Sequence, residues 1–183
     1  HYSLAMFDPT ERTRDPRGLA FFLGTWSGRI LLINAAVFLY TCFLSQSILM
    51  PTEDALVTVG ARYPLAMAMG EYWRLFTPIF VHIGLLHFAV NSFALYAIGR
   101  QLEGVLGPFL FLALYLSSGI LGNIASGVFS VGLSAGASSA IFGLLGCGFY
   151  VERQIGRRIQ EATGQRPKNQ VYAMTVLINL GFG

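Results

Sequence analysis

Charge is sparse in this chain. Asp and Glu together number nine and Lys and Arg twelve among 183 residues, so 11% of the chain is charged against 54% hydrophobic. A soluble domain carries about 25% charged residues, and a surface so poor in charge excludes an ordinary water-soluble globule. Cysteine is scarcer still. Cys42 and Cys147 each lie inside an apolar run, which excludes a disulfide scaffold and a thiolate metal centre and leaves two small packing residues. No opening segment has the charged, apolar and small-residue layout of a cleavable signal peptide.

What is present instead is a series of apolar blocks approaching the roughly 20 residues that cross a bilayer. Spans are predicted at residues 30–50, 78–98 and 105–121, with a short fourth at 138–151 and an apolar block at 171–183 as the start of a fifth. The fold class expected is therefore an all-α polytopic membrane protein. Residues 1–29 form an N-terminal cytoplasmic or interfacial segment, with Phe21, Phe22, Leu23 and Trp26 at the headgroups, and residues 30–183 form the transmembrane domain. Between the first two spans runs a long, partly apolar connection that begins at Pro51 and is expected against the membrane. Gly99–Gly104 reads as a polar turn, and Gly122, Asn123, Ser126, Gly127, Gly132 and Ser134 read as a loop that re-enters the membrane.

The basic residues are unevenly placed. Ten of the twelve fall in the N-terminal segment, at Arg100 or between Arg153 and Lys168, whereas Arg62 and Arg74 fall on the opposite side of a four-span threading. Positive charge retained inside orients such a chain with its N-terminus in the cytoplasm, so these clusters set topology, and no nucleic-acid partner is expected. A channel or transporter is disfavoured because no charged residue stands mid-span to mark an ion path.

Polar side chains inside the spans carry the chemistry, since each costs desolvation. Ser138 opens the fourth span within Gly136-Ala137-Ser138-Ser139-Ala140, and Gly132, Gly136, Ala140 and Gly143 would give a helix there one thin face for close packing. His87 and Asn91 are four residues apart and share a helix face, whereas His82, five before His87, points elsewhere. The histidines do not share a face, which argues against zinc. A hydroxyl facing an imidazole and a carboxamide suggests acyl transfer, with the side chains and the Ser138 N–H stabilising an oxyanion. The structural alternative is a hydrogen-bonded pair that only holds two helices together.

The run His82-Ile83-Gly84-Leu85-Leu86-His87-Phe88-Ala89-Val90-Asn91 resembles the H-x4-H-x3-N signature of rhomboid intramembrane serine proteases. Trp73-Arg74 with Phe76-Thr77-Pro78 resembles that family's first-loop motif, and Gly136-Ala137-Ser138 the first part of its G-x-S-G motif. The resemblance implies a rhomboid-like helical bundle in which Ser138 is the nucleophile, His87 and Asn91 belong to the oxyanion hole, and Trp73 and Arg74 structure the first loop. It also implies a serine–histidine dyad without metal or cofactor, acting on transmembrane segments of other membrane proteins. The alternative it allows is an inactive member that binds transmembrane clients or serves as a subunit of a larger membrane complex. Two departures stand out: Ser139 replaces the motif's last glycine, and the family's histidine base, on a sixth helix, would lie beyond Gly183 in a chain that looks cut at both ends. The expected location is a multi-pass protein in the inner membrane of a bacterium.

Overall fold

A computed structural model describes residues 19–129 and 132–164. The described residues are helical, with one isolated antiparallel bridge between Arg62 and Ser134. A short helix α1 (Leu19–Gly24) leads into α2 (Trp26–Ser45); the following loop holds α3 (Glu53–Thr58), α4 (Pro64–Ala68) and two 3-10 turns at Tyr72–Leu75 and Thr77–Phe80. Three long helices complete the described chain: α5 (Leu85–Leu106), α6 (Pro108–Phe129) and α7 (Ser138–Thr163). The apolar block at 171–183 lies outside the described residues.

Two of the long helices, α2 and α6, are long and apolar enough by themselves to cross a bilayer. The other two are long enough but mixed in character. α5 carries Arg100 and Glu103 in its second half, and α7 carries Glu152, Arg153, Arg157, Arg158 and Glu161 beyond its apolar first half. The expected fourth span at 138–151 is thus the first half of a longer helix, whose charged continuation is the same rod.

One core binds the long helices. Ala94, Leu95, Ile98 and Leu102 of α5 recur at helical spacing and meet Phe111 and Tyr115 of α6, Ala140, Ile141, Leu144 and Leu145 of α7, and Ile30 and Leu31 of α2. On α6 the buried positions Phe111, Tyr115, Gly119 and Asn123 fall every fourth residue. Large apolar side chains such as Phe43, Phe109 and Phe129 remain exposed on the outer surface, as lipid-facing residues do when the solvent is hydrocarbon.

Since lipid tails are as apolar as leucine, such helices associate through close packing of small residues. Ser118 and Gly122 on α6 face Gly143 and Ser139 on α7 in antiparallel register: the Ser139 side chain fills the space over Gly122 and the Ser118 side chain that over Gly143. Likewise Gly99 of α5 lies against Ser27 of α2 and Gly119 of α6 against Ile79. Three sequence expectations change here. Gly122, Asn123, Ser126 and Gly127 are helical, because small residues that read as turn chemistry are contact residues of α6. The polar stretch at 99–104 is helical as well, and the chain reverses at Gly107 (φ 79°), which leads directly into Pro108 at the start of α6. The thin face predicted from Gly132, Gly136, Ala140 and Gly143 is displaced too, since α7 begins at Ser138 and leaves the first two in the preceding loop.

The N-terminus of α2 is closed by another helix. The first N–H groups of a helix have no partner within it. Here the Trp26 and Ser27 N–H groups donate to the Glu103 carboxylate of α5 at 2.8 and 2.9 Å, the Ser27 hydroxyl donates to it at 2.8 Å, and the Gly28 N–H donates to the Thr25 hydroxyl at 3.0 Å. Glu103 is buried, and its charge complements the positive end of the helix dipole. Glu103→Ala is expected to destabilise the protein by about 1–3 kcal/mol by orphaning those donors, and Glu103→Gln, which keeps an acceptor, by less. Thermal unfolding in detergent measures both, and equal midpoints for wild type and Glu103→Ala would contradict this role.

Candidate active site

The site lies where the N-terminus of α7 meets that of α5. Gly136 adopts φ +135°, a conformation that side chains disfavour. Its N–H donates to the Pro78 carbonyl at 2.9 Å, and a Cβ placed on it would fall 2.5 Å from Cε1 and 2.8 Å from Nε2 of His87. The His87 imidazole therefore rests on bare backbone two residues before Ser138. Only glycine permits both the dihedral and the approach.

Ser138 is the first residue of α7 and is half-buried. Ala137 before it offers no side-chain cap, so the N–H groups of the first turn remain available as donors at the positive end of a 26-residue helix. Among the described residues no hydrogen bond joins Ser138 to His87 or Asn91. Ser139 points to α6, where the absence of a side chain on Gly122 makes room for it. The substitution for the motif glycine is matched on the neighbouring helix, a signal legible in the sequence only as paired small residues at 118 and 122 and at 139 and 143.

His87 and Asn91 do share a face of α5. The Asn91 Nδ2 donates back to the His87 carbonyl at 3.0 Å, and the side chain is buried. That bond uses one of the two amide protons and leaves the second for another acceptor. His82 departs from the expectation that it points elsewhere. It precedes the first turn of α5, so helical spacing does not apply, and its ring stands edge-on to His87 at 5.5 Å and to Phe88 at 5.4 Å between centroids. It is fully buried, with both ring nitrogens lacking a hydrogen-bond partner among the described residues.

The first loop is held from inside by Arg74. Its guanidinium donates to the carbonyls of Val57 at 2.7 Å and Ala61 at 2.9 Å and to the Glu71 carboxylate at 2.7 Å, and it stacks over Trp73 with 4.2 Å to the ring centroid. Thr77 adds a bond from its hydroxyl to the Gly60 carbonyl at 2.7 Å, and Asn123 of α6 donates to the Leu75 carbonyl at 2.9 Å. Leu65, Met69, Tyr72 and Trp73 stay exposed on the outside of this loop, an apolar fringe suited to lipid. Trp73 and Arg74 therefore act within the loop, at a distance in sequence from the Ser138 turn.

The family model described as Rhomboid domain matches residues 69–183. The chain is 44% identical over 130 residues to Rhomboid protease GluP of Bacillus subtilis (strain 168), a match covering 71% of this chain and 25% of that protein. It is 40% identical over 103 residues to Rhomboid-like protease 2 of Toxoplasma gondii, covering 55% and 36%, and 35% identical over 133 residues to RHOMBOID-like protein 1 of Arabidopsis thaliana, covering 72% and 32%. The chain belongs to the rhomboid family and is a membrane protein; it spans between a quarter and about a third of the length of these three relatives.

A direct test of the fit between α6 and α7 is available. Gly122→Ala would force its methyl into the Ser139 side chain and cost about 1–3 kcal/mol by overpacking. Adding Ser139→Gly should restore most of the loss in unfolding midpoint. Additive destabilisation in the double variant would show that the two positions do not oppose each other.

Proposed function

We propose that the protein is an intramembrane serine endopeptidase of rhomboid type, acting on transmembrane segments of other membrane proteins. The observation that carries the reading is the seating of the His87 imidazole on Gly136, beside the uncapped first turn of α7 that Ser138 opens. In this reading the Ser138 hydroxyl attacks the scissile carbonyl and gives its proton to a histidine base, which the family resemblance assigns to a sixth helix. The developing oxyanion takes hydrogen bonds from His87, from the second amide proton of Asn91 and from the Ser138 N–H. Collapse expels the amine, which takes up the proton, and water then hydrolyses the acyl-enzyme. The absence of a bond from Ser138 to His87 or Asn91 among the described residues suits this division of roles, because oxyanion donors serve the substrate oxygen and not the nucleophile.

The membrane arrangement follows the same reading. α2, α5, α6 and the first half of α7 cross the bilayer with the N-terminus in the cytoplasm, and Ser138 sits below the outer surface, reached by water from that side. Residues 1–29 then form the cytoplasmic or interfacial segment, and residues 30–183 belong to the transmembrane domain. Trp73 and Arg74 keep the first loop in one shape beside the site, and His82 backs the His87 ring.

The test uses the complete gene product in detergent or liposomes. A fluorophosphonate should label the wild type and not Ser138→Ala, and the same substitution should abolish cleavage of a transmembrane reporter. His87→Ala and Asn91→Ala should each lower kcat by about 10²–10³, with smaller changes in KM. Labelling that persists in Ser138→Ala would exclude this nucleophile, and a wild type that neither labels nor cleaves would favour a client-binding member of the family.

A further inference from the structure

We propose that Arg62 is a positioning residue of this site: it clips the first loop to the segment that carries Ser138 and so sets the oxyanion geometry. The inference rests on the serine-protease reading above and assigns a role to a residue that none of the family motifs contains.

Arg62 stands on the first loop just before α4 and is 2% exposed. Its backbone pairs with Ser134 in both directions, N–H to carbonyl at 2.9 Å and carbonyl from N–H at 3.1 Å. Its side chain then reaches across the same segment. Nε donates to the Ser134 hydroxyl at 3.1 Å, and one terminal nitrogen donates to the Gly132 carbonyl at 3.0 Å and, at the longer distance of 3.5 Å, to the carbonyl and hydroxyl oxygens of Ser126 near the end of α6. A buried guanidinium is costly unless its donors are used, and a planar fork whose protons diverge is suited to gathering separate carbonyls into one arrangement.

The consequence follows from where these acceptors lie. Gly132 to Ala137 are the described residues that lead into α7, and their described bonds are of two kinds. Gly136 is bound to Pro78 and covered by His87, while Gly132 and Ser134 are bound to Arg62. Ser134 is two residues from Gly136 and four from Ser138. Removing the Arg62 side chain leaves its backbone pair with Ser134 in place but takes the bonds to the Gly132 carbonyl and the Ser134 hydroxyl, so the segment before Gly136 can shift and turn the Ser138 N–H away from His87. Arg74 does not substitute for Arg62, because its described partners all lie within the first loop.

The experiment compares the complete gene product as wild type, Arg62→Lys, Arg62→Gln and Ser134→Ala, each assayed well below its own unfolding midpoint. The readouts are the rate of fluorophosphonate labelling at Ser138, and kcat and KM on a transmembrane reporter. The expected result for Arg62→Gln is labelling and kcat slowed by about tenfold to a hundredfold with KM little changed, the size of loss that a small displacement of catalytic groups produces. Arg62→Lys, which keeps the charge but not the fork, should rescue only part of the rate. Ser134→Ala removes one acceptor and should slow labelling in the same direction by less, which keeps the proposal testable if the Arg62→Gln protein does not fold. Folded variants that label and turn over at the wild-type rate, with only a lower midpoint, would make Arg62 a stability residue and overturn the proposal. A wild type that fails to label, or labelling that survives Ser138→Ala, would instead break the protease reading and take this role with it.

Discussion

At position 136 the chain tolerates nothing larger than hydrogen. The backbone there is turned into the left-handed half of conformational space, and the ring of His87 occupies the volume a Cβ would need. One close approach thereby joins three elements: the first turn of α5, the Pro78 carbonyl at the end of the first loop, and the N-terminus of α7. Ser138 follows two residues later, so the position of its hydroxyl is tied to that of the imidazole through a short backbone. The remaining structure keeps this junction in register.

Register in a lipid solvent cannot come from hydrophobic collapse between helices, and here it comes from small residues and from polar groups with named partners. Ser118, Gly122, Ser139 and Gly143 bring α6 and α7 close along an antiparallel seam, and Gly99 against Ser27 does the same for α5 and α2. At one end Glu103 closes the N-terminus of α2, and at the other Arg62, Arg74 and Asn123 supply the protons that loop carbonyls need. Away from water each of these carbonyls would otherwise stand unsatisfied. The polar side chains of this chain are few, and most of those described at the site's periphery are spent on backbone groups.

Helical spacing brought out the shared face of His87 and Asn91 correctly, because both lie inside α5. It misjudged His82, since the chain between Phe80 and Leu85 is not helical and the ring swings back to meet His87. The same limitation affected the glycines. In a membrane helix a glycine or serine marks a contact and in a loop it marks a turn, and a single sequence does not distinguish the two. Gly122 and Asn123 therefore looked like loop and proved helical, whereas Gly136 looked like part of a helix face and proved to be loop, as did Gly132, which fitted either reading. Ser139 stood only as a departure from the motif glycine, and its meaning emerged with Gly122 opposite it. Family membership was legible from the order of the motifs, because that order survives errors of a turn or two in each helix boundary. Arg62 was not, since its partners lie more than 60 positions away in the chain.

In the proposed mechanism one oxygen position is shared by His87, Asn91 and the Ser138 N–H. A structure of the complete protein with a phosphonate bonded to Ser138 measures this directly. The phosphonyl oxygen is expected within about 2.7–3.1 Å of donors from all three. An oxygen turned away from His87 toward lipid, with Gly136 still beneath that ring, would contradict it.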